Sequence, residues 1–275
     1  MSYKNHPFSL FLKIVVYGAA IITAFILFSL IAYILIKGIP NITSELFQWQ
    51  YTTKNASMMP AIINTLTITI ISLIIAVPIG IFSAIYLVEY AKRGNKLIGL
   101  IRLTTETLSG IPSIVYGLFG YLMFVVALEW SYSVIAGCLT LAIMILPLVM
   151  RTTEEALISV PDTFREGSYG LGAGKLRTVF KIVLPSAMPG ILSGVILGIG
   201  RIVGETAALI YTAGTVTGVA TGLFSSGRTL SVHMYALLSE GLYMEQAYAT
   251  AVILLIMVIV INGISSLVAK HFAKS

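Results

Sequence analysis

Residues 151–185 read RTTEEALISVPDTFREGSYGLGAGKLRTVFKIVLP, a charged stretch held between strongly apolar flanks. The 275-residue chain is 57% hydrophobic and only 10% charged, a balance that belongs in a lipid bilayer. The 151–185 block is too polar to cross one. A long hydrophilic segment in the middle of such a chain suggests an element that something in the water must grip.

Outward from the block, apolar runs follow one another at membrane-spanning length. The first, Ile14 to Ile36, lies between Lys13 and Lys37. Its length suffices for about 30 Å of hydrocarbon at roughly 1.5 Å per residue. It is longer than a signal-peptide core, and no small-residue cleavage site follows it, so a retained helix is expected. Further spans are expected near 61–88, 107–128, 132–150, 187–211 and 249–269, with Pro78, Pro112 and Pro147 bending or interrupting them. The expected fold class is an all-α polytopic membrane protein of six transmembrane helices, with 1–60 as an N-terminal helix and first external loop and 61–275 as the main membrane domain.

Charge orients these spans. Thirteen of the seventeen Lys and Arg residues fall on one side: Lys4, Lys13, Lys92, Arg93, Lys96, Arg102, Arg151, Arg165, Lys175, Arg177, Lys181, Lys270 and Lys274. The positive-inside rule makes that side cytoplasmic, with both termini and the 151–185 block. The net charge of +6 is accounted for by topology and anionic lipid, with no nucleic-acid partner required. The external segments are then 38–60, and 212–248, whose SVHMYALLSEGLYMEQAYA portion reads as a short helix near the outer surface.

Within the block, Thr152–Ile158 and the residues after Pro161 are expected to be helical. Gly170, Gly172 and Gly174 supply a bend, and Leu176, Val179, Phe180 and Val183 recur at helical spacing before Pro185 closes the segment. This is a compact knob suited to a cleft on a soluble partner; an amphipathic helix resting on lipid headgroups is the plainer alternative. The GLGAGK string lacks the first glycine and the Ser or Thr of a phosphate loop, so ATP hydrolysis would have to reside in another chain.

The block resembles the cytoplasmic loop of importer-type ABC permeases, whose pattern is E-A-A, three residues, Gly, nine residues, Ile, one residue, Leu-Pro. Glu166, Gly172, Ile182, Leu184 and Pro185 fall at those positions, while Gly167 and Ser168 replace the two alanines. The resemblance implies the type I importer permease (MetI-like) fold and assigns these five residues to docking on the ATPase.

A second feature lies in the fifth span, GILSGVILGIGRIVGETAALIYTAG, where Arg201 and Glu205 stand in apolar sequence. On a continuous helix Gly190, Gly194, Gly198, Arg201 and Glu205 fall within about 80° of one another. Arg201 lies twelve residues, or roughly 18 Å, beyond Pro189. An arginine there costs about 2.5–3.5 kcal/mol to insert. Two readings stay open, a salt bridge that locks helices and an arginine that meets an anion in a pathway. TLSGIPSIVYGLFGYLMF (107–124) and RIVGETAALIYTAG (201–214) resemble segments of phosphate-specific importer permeases, PstA-like more than PstC-like. That resemblance implies a PstC-like partner permease, two copies of a PstB-like ATPase using ATP and Mg, and a PstS-like external phosphate-binding protein. It implies no cofactor bound by this chain, and it makes Arg201 and Glu205 the substrate-pathway pair. Other oxyanions (sulfate, molybdate, tungstate) and an ATP-independent channel or secondary carrier are the alternatives. His6, His233 and His271 are too dispersed for a metal site, and Cys138 reads as a small core residue.

Overall fold

A computed structural model describes residues 7–92 and 94–274, with the side chains of 8–92 and 94–269. Lys4, His6 and Arg93, and the side chains of Lys270, His271 and Lys274, lie outside the described residues.

The described chain is helical and carries no strand. Helices α1 (Pro7–Gly38), α2 (Met59–Ile85), α3 (Lys96–Ser109), α4 (Ser113–Gly120) and α5 (Val134–Ile158) precede the hydrophilic block. Helices α6 (Asp162–Gly170) and α7 (Lys175–Thr178) form the block itself. Helices α8 (Leu184–Val203), α9 (Ala207–Thr212), α10 (Leu230–Glu240) and α11 (Met244–Lys274) complete the chain. Five helices are long and apolar enough to cross a membrane, or six if the bent pair α3 and α4 is taken as one span. This is the all-α polytopic architecture expected.

Helix α1 is apolar around its whole circumference, and its side chains are almost all exposed, as suits a helix surrounded by lipid. It leans on α11, where the hydroxyls of Tyr33 and Tyr248 lie 3.2 Å apart. The interior is built around α5. Ile68 of α2, Leu141, Met144 and Ile145 of α5, Ile202 of α8 and Leu209 of α9 form one buried cluster. Glycines set the spacing of the neighbouring helices. A Cβ on Gly80 of α2 would lie 2.8 Å from Val149, one on Gly190 of α8 would lie 2.7 Å from Ala156, and one on Gly194 would overlap the Thr152 side chain. The glycine stripe of the fifth span therefore packs against α5, the close approach that small residues permit in membranes. Cys138 is buried in the same core, facing the Ile68 carbonyl of α2.

Six expectations need correction. The third span is not one helix: α3 and the segment 113–127 meet at 103°. Pro112 cannot donate a backbone bond and pushes Ile111 away from helical geometry. The fifth span breaks at 204–206. Thr152–Ile158 is the end of α5 and no separate helix. Pro185 does not close a helix either, since the chain runs from a π-helical turn at Val179–Val183 directly into α8. The outer helix stops at Glu240 on a left-handed Gly241, φ 70°, and α11 begins well before residue 249. Pro78 and Pro147 lie inside α2 and α5, which continue past them.

Replacing Gly194 with valine should force α8 off α5 and cost about 1–3 kcal/mol, whereas Gly263→Val, with open space around its Cβ, should cost far less. Thermal unfolding of the two variants in one detergent checks the difference.

Candidate functional site: a docking knob and a broken helix

Two regions gather the residues singled out from sequence. At the basic-rich end, α6, the turn 171–174 and α7 form a short helical hairpin. Gly172 has φ +80° and open space around its Cβ, so its conformation, not its packing, demands glycine. Ser168 of α6 and Thr178 of α7 close the hairpin with a 2.8 Å hydroxyl contact; the serine in place of the motif's alanine thus ties the two helices together. Val179 and Val183 are fully buried against α5 and the end of α2. Phe164, Tyr169 and Leu176 remain exposed, and Leu171 at the tip is 91% exposed. Glu166 is exposed on α6, Ile182 lies in the π turn, Leu184 is half-buried against the core and Pro185 is exposed. Within the block and its flanks Glu154 pairs with Arg102 at 2.6 Å and Glu155 with Arg151 at 3.1 Å.

The hairpin is fastened by a residue that the sequence reading passed over. Arg165 of α6 donates through Nη2 to Glu89 Oε1 at 2.8 Å and through Nε to the same oxygen at 3.1 Å. It also donates to the Leu157 and Val160 carbonyls at 2.9 and 2.8 Å and to Asp162 at 3.2 Å. The Arg165 and Glu89 side chains are only 13% and 6% exposed. Glu89 lies in the π-helical turn Tyr86–Tyr90 that ends α2. The available signal was a lone carboxylate at the end of an otherwise apolar span. A groove of about 770 Å³ opens beside the pair, lined in part by Lys92, Asn95, Arg102 and Asp162.

Deeper in the chain, α8 stops at Val203 and α9 restarts at Ala207. Arg201 stands in the last turn of α8, partly buried. Glu205 stands beyond the break, so the two are not one turn apart on a continuous helix. They make no ion pair: among the described residues Arg201 has neither a carboxylate within 4.0 Å nor a hydrogen-bond partner. The carboxylate of Glu205 instead accepts from the Ala208 amide at 3.1 Å and caps α9. The Glu205 carbonyl accepts from the Ser231 hydroxyl at 2.5 Å, which brings the start of α10 against the break. The other bend faces the same region. Tyr116 of α4 donates across it to the Leu108 carbonyl at 2.8 Å, and a Cβ on Gly117 would lie 2.8 Å from Ala208. The restarted portions of both bent helices are therefore in direct contact.

Residues 76–275 match the family of binding-protein-dependent transport system inner membrane components. The chain belongs to that family. It is an ABC-transporter permease subunit, a transport component and not an enzyme, which sets aside the gradient-driven carrier. A probable ABC transporter permease of Bacillus subtilis, YqgI, is 36% identical over 267 residues, covering 89% of this chain and 88% of that one. The phosphate transport system permease protein PstA 1 of Mycobacterium tuberculosis is 42% identical over 154 residues, covering 56% of this chain and 50% of its own. The permease also shares its fold with chains of solved transporters. For the MetNI methionine ABC transporter the TM-score is 0.60 at 20% identity, covering 78% of this chain and 94% of the other. For a bacterial alginate ABC transporter it is 0.68 at 15% identity, covering 98% and 99%.

Because Glu205 acts as a cap, Glu205→Gln, which keeps an acceptor oxygen, should leave stability close to that of the parent permease. Glu205→Ala should lose about 1–2 kcal/mol; unfolding midpoints in detergent give the comparison.

Proposed function

We propose that this permease is the PstA-like half of an ATP-driven importer of inorganic phosphate. Its residues 61–275 would form the pathway with a PstC-like partner. Two copies of a PstB-like ATPase would supply ATP hydrolysis with Mg, and a PstS-like external protein would deliver phosphate. The observation that carries the reading is the state of Arg201: a guanidinium inside the apolar body of the chain, at the end of a broken helix, with no carboxylate to neutralise it. Such a cation is costly to bury, and unpaired intramembrane charges generally belong to ion or substrate pathways. A guanidinium stays charged in a dry site and can donate two parallel bonds to a phosphate. In this reading Arg201 meets the anion, while Glu205 positions the break that presents it. The similarity to PstA proteins supports phosphate as the substrate.

Docking of the ATPase is assigned to the α6–α7 hairpin and to Glu166, Gly172, Ile182, Leu184 and Pro185. The exposed apolar tip around Leu171 supports this assignment, since a large hydrophobic side chain held in water favours a covering partner. ATP-driven closure of the soluble subunits would move the hairpins and switch the pathway from outward-open to inward-open. A second reading keeps the mechanism and changes the cargo to sulfate, molybdate or tungstate, because guanidinium chemistry is common to all of them.

In vesicles holding both permeases, the ATPase and the binding protein, phosphate uptake should resist competition by excess sulfate and molybdate. Arg201→Gln should lower uptake by about tenfold to a hundredfold, as expected for losing a hydrogen bond to a charged group worth about 1.5–3 kcal/mol, with subunit assembly unchanged. Uptake at the parent rate in a fully assembled variant would remove Arg201 from the pathway. Gly172→Val requires a β-branched residue at φ +80°; its permease should reach the membrane and fail to retain the ATPase in a pull-down.

A further inference from the structure

Helix α2 is held at both ends by buried side-chain bonds that join it to the two regions described above. At its inner end Glu89 is gripped by Arg165 of the docking hairpin through two nitrogens, at 2.8 and 3.1 Å. The same guanidinium holds the Leu157 and Val160 carbonyls at the end of α5. At its outer end Asn64 and Thr65, each 1% exposed, hold the external segment. The Asn64 side chain donates to the Gly218 and Arg228 carbonyls at 3.0 and 3.2 Å and accepts from the Ala220 amide at 3.0 Å. The Thr65 hydroxyl accepts from the Leu230 amide at 2.8 Å. One residue further on, Ser231 bonds the Glu205 carbonyl at the helix break. From Asn64 to Glu89 the chain rises through 25 residue steps of nearly continuous helix, with Pro78 inside it, a rod of roughly 37 Å.

We infer that α2 is the transmission rod of this permease, with Glu89 and Arg165 as positioning residues that lock it to the ATPase-docking hairpin and Asn64 and Thr65 as the outer joint. The physical reason is stiffness. A single flexible contact would let the hairpin rock without moving α2. Two nitrogens on one carboxylate oxygen, backed by two carbonyls, oppose such slip. A packed helix then carries the displacement to the external segment, and Ser231 passes it to the break just beyond Arg201. The covalent route from α7 through α8 and α9 also leads into the 215–229 segment, but it crosses the break at 204–206. That segment is held by Asn64 of α2 and by the start of α5, whose Val134 and Ile135 amides donate to the Ser225 and Leu223 carbonyls at 2.9 and 2.8 Å. Arg165 grips the inner ends of both helices, so the Glu89–Arg165 joint makes α2 move with α5 and the hairpin.

The inference uses the permease's coupling to an ATPase and is independent of which anion is carried, so its test reads no substrate. In the assembled transporter, a cysteine at exposed Val216 is labelled with an impermeant maleimide, in the resting state and after trapping with ATP and vanadate. Native Cys138 is buried and stays silent. The parent complex should show a nucleotide-dependent change in labelling. Glu89→Ala should at least halve that change while ATP is still hydrolysed, and so should Asn64→Ala at the far end. Combining the two should add nothing, because both cut the path through α2. Glu89→Gln, which keeps an oxygen to accept from the Arg165 guanidinium, should retain most of the change. All variants are compared as assembled complexes that hydrolyse ATP at the parent rate, so a folding defect cannot mimic the loss. No nucleotide-dependent change in the parent, an undiminished change in Glu89→Ala, or a Glu89→Gln that loses as much as Glu89→Ala would each overturn the inference.

Discussion

Inside hydrocarbon no water is present to receive a stray amide or carbonyl, so every interruption of a helix must be closed by the protein itself. This permease interrupts two. At the first, the Tyr116 hydroxyl reaches back over the bend to the Leu108 carbonyl. At the second, the Glu205 carboxylate takes the Ala208 amide and the Ser231 hydroxyl takes the Glu205 carbonyl. These bonds decide where α4, α9 and α10 can begin, and they leave Arg201 without a carboxylate. A buried glutamate used as a helix cap is unavailable as a counter-ion.

The coarse architecture was legible because it rests on composition and periodicity. Apolar runs of spanning length, the basic side and the hydrophilic block follow from the chemistry of side chains in lipid and water, and the long helices appear close to where hydropathy puts them. The breaks were harder. Glu205 four residues after Arg201 looks like a helical ion pair; Gly204, which caps the end of α8, was a local stop signal, but Gly190, Gly194, Gly198 and Gly200 in the same helix do not end it. Pro112 did announce an interruption, but the 103° angle depends on the Tyr116 bond across it. At Pro185 the rule that proline stops a helix failed because the preceding π turn had already shifted the backbone register.

The candidate site divides in the same way. Gly172 was readable from the glycine-rich bend and the motif spacing, and the structure supplies the reason, a positive φ. Glu89 was not readable as a partner of Arg165, since 76 residues separate them and only the folded chain brings them together. Family membership fixes the chain's place as the membrane component of a transporter, while the resemblance to solved transporters, at 20% identity or below, speaks to the fold alone. What the fold class leaves unstated is held in individual side chains: a cation left unpaired, a carboxylate used as a cap, and a hairpin bolted to its neighbours.

The outer joint also has a bearing on how the chain is made. Asn64 and its partners in the external segment are about 154 to 164 residues apart. At roughly 5–20 residues per second of synthesis, the nearest of those partners emerges on the order of 8–30 s after Asn64 itself. Throughout that interval α2 sits near the bilayer with a primary amide that nothing in the chain can yet satisfy. The first half of the permease must therefore pass through a biogenesis stage in which water, lipid headgroups or the insertion machinery stands in for residues 218–230.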